Sequence, residues 1–202
     1  LPELVGAVDA ARRSGPIEAW LAAGGDPERF IEVRHRFDLR DEARPGVHWD
    51  GLDLGADDLG GFDLRGATLT GCVLPDISAA DLSGAMLDRS VALHARGAVF
   101  DEASLLEVDI ECGRLDGASF RGASLRGANL CGAGLRRAAF HGADLTGADL
   151  GDTDLTGSTI HLARSLTGCY LGGAFGLNLQ QIDSCRALGA LGLVPAFDAM
   201  GM

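Results

Sequence analysis

Large apolar residues recur at every fifth position through the second half of the chain, with a small residue, most often Ala, two places before each. The residues that follow this spacing are Phe100, Leu105, Ile110, Leu115, Phe120, Leu125, Leu130, Leu135, Phe140, Leu145, Leu150, Leu155 and Ile160. An α-helix does not explain the period, because five residues advance about 500° and the apolar positions would spiral over every face. A plain strand has a period of two. The pattern therefore predicts a short extended segment and a corner in every five residues, often with Gly at the corner.

The repeated unit has the form A(D/N)LxG, as in ANLCG at 128–132 and ADLTG at 143–147. This tandem motif resembles the pentapeptide-repeat family. The resemblance implies an all-β fold, a right-handed quadrilateral β-helix with four pentapeptides per coil. The large residue and the small residue before it would point inward, and successive coils would stack at about 4.8 Å.

The register of the repeat changes twice upstream, between Leu74 and Leu82 and between Leu87 and Ala95. Each change corresponds to three extra residues, which predicts small outward bulges at 75–78 and 90–93.

Three segments follow from where the repeat begins and ends. FDLRD at 37–41 nearly repeats FDLRG at 62–66, so the solenoid is expected to begin near Phe37, and one inserted residue precedes its end near Leu166 and Leu171. Apolar stripes outside the repeat predict helices that cover the exposed ends of the stack. The predicted segments are a helical N-terminal cap at 1–36, the β-helix at 37–172, and a C-terminal helix with an apolar tail at 173–202.

Phe100, Phe120 and Phe140 are spaced by twenty residues, which is one coil of four pentapeptides. They are therefore expected to stack as an aromatic ladder inside the solenoid. The alternative is that Phe and Leu alternate by chance along the repeat.

Composition limits the classes of partner. The formal net charge is −12 and the chain contains no Lys, whereas nucleic acids and anionic membranes are bound by basic surfaces. No apolar run approaches the ~18 residues of a membrane span. Five Cys with no CxxC pair fit a reducing compartment, and a cytoplasmic location is expected. An acidic surface favours a protein partner with a basic surface.

The sequence offers little for catalysis or cofactor binding. It contains no GxGxxG, P-loop or GxSxG motif, and a rod packed with Leu, Phe and Ala leaves no interior pocket. His141 and His161 are one coil apart, but their column offers no third metal ligand, so two solvated histidines are the preferred interpretation. A bridge between Cys112 and Cys131 across adjacent coils is a further alternative. We expect neither enzyme activity, nor a cofactor, nor a metal.

Acidic residues are predicted to concentrate on two adjacent outer faces, where only Arg65, Arg89 and Arg126 oppose them. The acidic residues assigned to these faces are Asp57, Asp58, Asp63, Asp81, Asp88, Glu107, Asp109, Glu111, Asp144, Asp149 and Asp152. A third face is mainly basic. The alternative is that Asp before Leu is simply a favourable repeat residue on a surface that must be polar.

Two functional classes remain. The quinolone-resistance branch of the resembled family implies a DNA mimic that binds a type II topoisomerase, DNA gyrase or topoisomerase IV, and protects it from inhibitors or modulates it. The alternative is a general protein-binding scaffold with an unrelated partner. The apolar C-terminal segment predicts a homodimer. The residues assigned to its interface are Leu179, Ile182, Leu188, Leu191, Leu193 and Val194.

Overall fold

A computed structural model describes residues 16–33, 39–55, 58–74, 76–92 and 94–193. Regular elements are few within these ranges. The α-helices are α1 (Pro16–Ala22), α2 (Phe30–Val33), α3 (Leu39–Glu42) and α4 (Leu179–Ala187), and 3-10 turns occupy Pro27–Arg29 and Ile160–Leu162. Strands β1 (Val73–Leu74) and β2 (Val91–Ala92) pair in parallel. None of the described helices combines the length and the apolar character needed to cross a membrane.

Most of the chain is a repeat β-helix solenoid held together by isolated parallel bridges between successive coils. In a typical unit the backbone N–H of Ser119 donates to Ala98 in one neighbouring coil, and the N–H of Phe120 donates to Ala139 in the other. The N–H of Ala123 then closes the corner on the carbonyl of Phe120. One coil forms four bridges to the next coil, at His94, Val99, Ser104 and Asp109. Each coil therefore has four sides.

The corners explain why the chain is rich in Gly. Most units end in a residue with positive φ, as Gly122 does at 66°, where a side chain is strained. Non-Gly residues also adopt this conformation, among them Cys112 and Asp152. A repeat unit therefore tolerates a polar side chain at the corner, at a cost on the order of 1 kcal/mol.

The coils differ in length, and this corrects the predicted bulges. Asp63 pairs with Asp81 and Asp81 pairs with Val99, so each of these coils takes 18 residues where the repeat requires 20. Leu74 and Ile77 are both buried, as are Ala92 and Ala95. Because Leu74 pairs with Ala92, the same side of the solenoid is two residues shorter in two successive coils. The prediction of three extra residues at 75–78 and 90–93 is therefore wrong. The error arose because removing two residues changes the register of a five-residue repeat in the same way as adding three.

The inserted residue near the C-terminal end is present. Asp144 pairs with Ser165 and Asp149 with Tyr170, which are 21-residue intervals, and the 3-10 turn Ile160–Leu162 lies where the extra residue is absorbed.

Large side chains fill the interior from end to end. The rings of Phe100 and Phe120 stack at 5.1 Å between centroids and those of Phe120 and Phe140 at 5.2 Å, with interplanar angles of 3° and 10°. Ile160 continues this column, and all four side chains are fully buried. The stack places the outward residues of successive coils directly above one another.

The two ends differ from the predicted boundaries. Residues 39–42 form α3 and not a repeat unit, and the first bridge joins His48 to Thr68. Before it, Glu18 in α1 holds Arg44 through an ion pair of 2.7 Å and accepts the backbone N–H of His48. At the other end the ladder continues past residue 172, because Tyr170 pairs with Leu191.

Candidate functional site: the acidic face

The bridges divide the outer surface into four faces, each made of one ladder column and the corner residues that follow it. The phenylalanine face carries Asp63, Asp81, Val99, Ser119 and Ala139 over the aromatic stack. The serine face carries His48, Thr68, Met86, Ser104, Ser124, Asp144 and Ser165. The acidic face carries Asp53, Val73, Val91, Asp109, Asn129, Asp149, Tyr170 and Leu191. The mixed-charge face carries Asp58, Asp76, His94, Arg114, Gly134, Asp154 and Phe175.

The acidic face has carboxylates and, among its described residues, no arginine. Its acids are Asp53, Asp109 and Asp149 in the column and Glu111 and Asp152 at the corners. Four of these lie within three consecutive coils, centred on Asn129. Stacking at strand spacing thus brings negative charges together that lie up to 43 positions apart in the sequence.

The carboxylates of this face are held by amides and not by cations. Oδ1 of Asp109 accepts hydrogen bonds from the N–H of Glu111 at 3.2 Å and from Nδ2 of Asn129 at 3.0 Å. Oδ1 of Asp149 accepts the N–H of Gly151 at 2.8 Å. No ion pair is found for these carboxylates within the described ranges. Their negative charge is directed outward without compensation.

The mixed-charge face pairs two of its four described acids with arginines. Arg96 pairs with Asp116 at 3.5 Å, and Nε of Arg136 pairs with Oδ2 of Asp154 at 2.5 Å. Hydrogen bonding from Thr156, and then from Arg136, lowers the pKa of the Asp154 carboxyl below its usual value. The same pair raises the pKa of Arg136. Opposite charges one coil apart therefore satisfy each other here.

The serine face also pairs two of its acids, Glu107 and Asp144, with arginines. Arg89 contacts Glu107 at 3.0 Å, and Asp144 receives both Arg126 at 3.3 Å and Arg164 at 3.2 Å. Burial alone would raise the pKa of Asp144, but hydrogen bonds from Thr146 and the two guanidinium groups lower it overall. Asp88 accepts the hydroxyl of Ser104 at 2.6 Å and the N–H of Leu106.

The shorter coils relocate three of the predicted acidic residues. Asp88, Glu107 and Asp144 lie on the serine face, and Asp109, Glu111, Asp149 and Asp152 lie on the adjacent acidic face. Asp63 and Asp81 lie instead on the phenylalanine face, and Asp58 on the mixed-charge face. Their predicted placement is wrong because it assumed added residues where the coils lose two each. Asp57 lies outside the described residues.

The same correction identifies a residue that the sequence analysis missed. Asp53 pairs with Val73 and so begins the acidic column. The register changes in the sequence do not reveal this, because they fit two removed residues and three added residues equally well; the burial of Ile77 and Ala92 decides between them.

Among the residues that the structure describes, the cysteines and histidines form no reactive cluster. Burial raises the pKa of Cys72 and Cys169 to about 12 and that of Cys185 to about 11. Cys112 and Cys131 are free thiols on adjacent coils, and the N–H of Cys112 donates to the carbonyl of Cys131. Nδ1 of His141 contacts the hydroxyl of Thr159 at 3.2 Å and Nδ1 of His161 lies 3.3 Å from the amide nitrogen of Gln181. Within the described part of the chain, no group of three or more potential ligands is placed to hold a metal ion.

The residues predicted for dimerisation divide into two groups. Leu188 and Leu193 are half-buried and pack against the core of the last coils. Leu179 and Leu191 are 63% and 55% exposed, and Ile182 is half-buried. Helix α4, which carries Leu179 and Ile182, begins with Asn178 and Gln181 capping each other's backbone N–H groups. Val194 lies outside the described residues.

Comparison with known proteins identifies the repeat. The family model described as pentapeptide repeats (8 copies) matches residues 114–152 and 123–161. Residues 114–161 of this chain are therefore similar to the pentapeptide-repeat family. A search of the curated proteins gave no match.

Several solved structures are similar to the chain. One is HetL, a pentapeptide repeat protein involved in heterocyst differentiation regulation from the cyanobacterium Nostoc sp. strain PCC 7120, at 22% identity and a TM-score of 0.34 over 70% of this chain and 79% of HetL. Another is QnrB1, a plasmid-mediated fluoroquinolone resistance protein, at 16% identity and a TM-score of 0.38 over 77% and 94% of the two chains. A third is the pentapeptide repeat protein Rfr23 from the cyanobacterium Cyanothece 51142, at 25% identity and a TM-score of 0.22 over 72% and 93%.

Proposed function

We propose that this pentapeptide-repeat chain is a non-enzymatic binding protein whose acidic face docks on a basic surface of a protein partner. The observation that carries the proposal is the set of acidic-face carboxylates, which meet no arginine among the described residues. Unpaired surface charges of one sign speed up the encounter with a surface of opposite charge and discriminate against other partners. A right-handed winding, helical caps at both ends and a cytoplasmic location belong to the same proposal.

The specific partner that we propose is a type II topoisomerase, DNA gyrase or topoisomerase IV, with the acidic face acting as a mimic of DNA. Three coils occupy about 14 Å, over which duplex DNA carries about eight charges. Asp109, Glu111, Asp149 and Asp152 supply about half that density. This is enough for salt-sensitive docking on a DNA-binding surface, but shape complementarity must supply the remaining affinity.

The test is gyrase supercoiling with and without a quinolone while the protein is titrated into the reaction. We expect a concentration-dependent change in supercoiling, in cleavage-complex formation or in protection from the drug. If all three stay unchanged, the topoisomerase is excluded. The broader proposal, a scaffold with a different basic partner, is then examined by pull-down from a lysate with the wild type and an acidic-face variant.

We also propose that the chain forms a homodimer through its C-terminal end. The support is that Leu179 and Leu191 expose more than half of their side chains there, and Phe175 nearby is 55% exposed. Leu179→Glu changes a side chain that the core does not need, so it should leave the fold intact and shift a dimer to monomer in sedimentation. A wild-type monomer at tens of micromolar, about the range in which weak dimers form, would contradict the proposal.

A further inference from the structure

Tyr170 is the single tyrosine of the chain and interrupts the acidic column between Asp149 and Leu191. Its side chain is 48% exposed, and that of Leu191 is 55% exposed. A large aromatic residue is unusual at this outward position, which is polar or small in most units. The ring is therefore a surface feature and contributes little to the core.

The ring lies over Gly172 of its own coil and close to one glycine of each neighbouring coil, Gly151 and Gly192. A Cβ atom at position 172 would overlap the phenol end of Tyr170, one at 192 would lie 2.8 Å from Cε2, and one at 151 would lie 3.3 Å from Cε1. Gly151 and Gly172 do not have the positive φ of the corner glycines, so their backbone conformation is open to other residues. What excludes a side chain at Gly172 is the ring itself. One side of the ring rests on the solenoid and the other faces solvent.

Two carboxylates of the preceding coil lie near this ring. A Cβ atom at position 151 would lie 3.3 Å from Cε1 of Tyr170 and 3.2 Å from Oδ1 of Asp149, so this carboxylate oxygen and the ring edge flank the same small space. Oδ1 of Asp152 occupies the space that a Cβ atom at position 173 would need, and position 173 follows Gly172, over which the phenol group lies. Neither carboxylate has an ion pair within the described residues.

We infer that Tyr170, Asp149 and Asp152 form a binding site for an arginine side chain of the partner protein. A guanidinium group is planar and weakly hydrated, so it can stack on the open face of the ring while its edge N–H groups donate to carboxylates beside the ring. Lysine has a compact and strongly hydrated charge and fits this arrangement less well.

This inference rests on the proposed function, because it names the residue type that the acidic face receives. It adds that recognition is selective for arginine at one end of the face, whereas charge alone would accept lysine and arginine equally. The two statements can therefore fail separately.

The experiment uses the full chain with fluorotyrosine in place of tyrosine, which gives one fluorine NMR signal because Tyr170 is the single tyrosine. The probes are two short peptides of equal length and charge, one rich in arginine and one rich in lysine. We expect the arginine peptide to shift the signal saturably and to bind at least about threefold more tightly than the lysine peptide.

Two variants assign the effect. Tyr170→Leu keeps every charge and should bring the two peptide affinities within about a factor of two of each other. Asp149→Asn with Asp152→Asn should weaken both peptides, while the control pair Asp58→Asn with Asp76→Asn makes the same charge change on the mixed-charge face and should have a smaller effect. Unfolding curves establish that all variants are folded.

Equal binding of the two peptides, unchanged by Tyr170→Leu, would overturn the arginine site and leave the acidic face as a general docking surface. An unmoved fluorine signal with both peptides would also overturn it. In either case the proposed topoisomerase function is decided separately, by the supercoiling assay.

Discussion

The acidic face and the mixed-charge face are neighbouring sides of one solenoid, and they carry similar numbers of acidic residues. The mixed-charge face opposes its four described acids, Asp58, Asp76, Asp116 and Asp154, with four arginines. Two of those acids form direct pairs with arginines of adjacent coils, as Asp154 does with Arg136. The acidic face has Asn129 between Asp109 and Asp149, and the side-chain amide of Asn129 donates to Asp109 without adding a positive charge.

The difference shows that the number of charges on a solenoid surface does not decide its electrostatic character. A carboxylate is neutralised when the residue one coil away is basic and is left outward-directed when that residue is polar or acidic. Since the coil length sets which residue lies one coil away, a two-residue change in a coil alters the charge of a face without any change in composition. The following predictions test this comparison, beginning with the largest expected effect.

Replacing Phe120 by Asp should abolish both faces together. The side chain is fully buried between Phe100 and Phe140, and an unpaired carboxylate there costs several kcal/mol, a large part of the about 5–15 kcal/mol that stabilises a domain. The measurement is a denaturant melt. The control is Arg121→Ala at the next, exposed position, which should change the free energy of unfolding by less than about 0.5 kcal/mol. Equal tolerance of the two substitutions would contradict the inward and outward assignment.

The sequence predicts the interior better than it predicts the surface. The five-residue period makes Phe120 inward and Arg121 outward whatever the coil length, and twenty-residue spacing places Phe100, Phe120 and Phe140 in one column. Beyond Ala95 the coils keep that length up to the single inserted residue, so the placement of Asn129 between Asp109 and Asp149 follows directly from the sequence.

The faces upstream of Ala95 could not be assigned in the same way. Three added residues and two removed residues differ by five, which is one full repeat unit. Both therefore give the same spacing of apolar residues in the sequence. The positions of Asp58, Asp63 and Asp81 depend on which of the two occurs. Only the burial of Ile77 and Ala92 as inward residues distinguishes them. The role of the glycines beneath Tyr170 could not be predicted from the sequence either. Corner glycines are frequent in this chain, so two glycines that are needed for space and not for positive φ cannot be recognised among them.

Changing Asp109 and Glu111 together to Arg should reduce binding of a basic partner by tenfold or more. The two acids lie on the acidic face without an opposing cation, so the change replaces attraction by repulsion at the centre of the proposed contact. Binding is measured at low and at physiological salt, and the wild-type affinity should fall steeply between them because exposed charges are screened within about 8–10 Å.

The matched control makes the same charge change on the other face, with Asp58→Arg and Asp76→Arg. This variant should retain most of the affinity. An equal loss in both variants would mean that overall net charge drives binding and that the distinction between the faces has no functional meaning.

The smallest effect is expected within the mixed-charge face, in the acid dependence of Asp154. Hydrogen bonding from Thr156 and Arg136 lowers the pKa of this carboxyl in the folded chain, so its stabilising contribution is complete above the usual carboxyl pKa of about 4 and is lost as the pH falls through the lower folded value. Asp154→Asn should therefore reduce the free energy of unfolding by at most about 1 kcal/mol near neutral pH, because solvent screens surface pairs. The difference from wild type should shrink toward zero in acid.

In the Arg136→Gln background the Asp154→Asn difference should be smaller at neutral pH, which assigns part of it to the pair. If Asp154→Asn had the same effect at every pH and in both backgrounds, the pairing that separates this face from the acidic face would not contribute to stability.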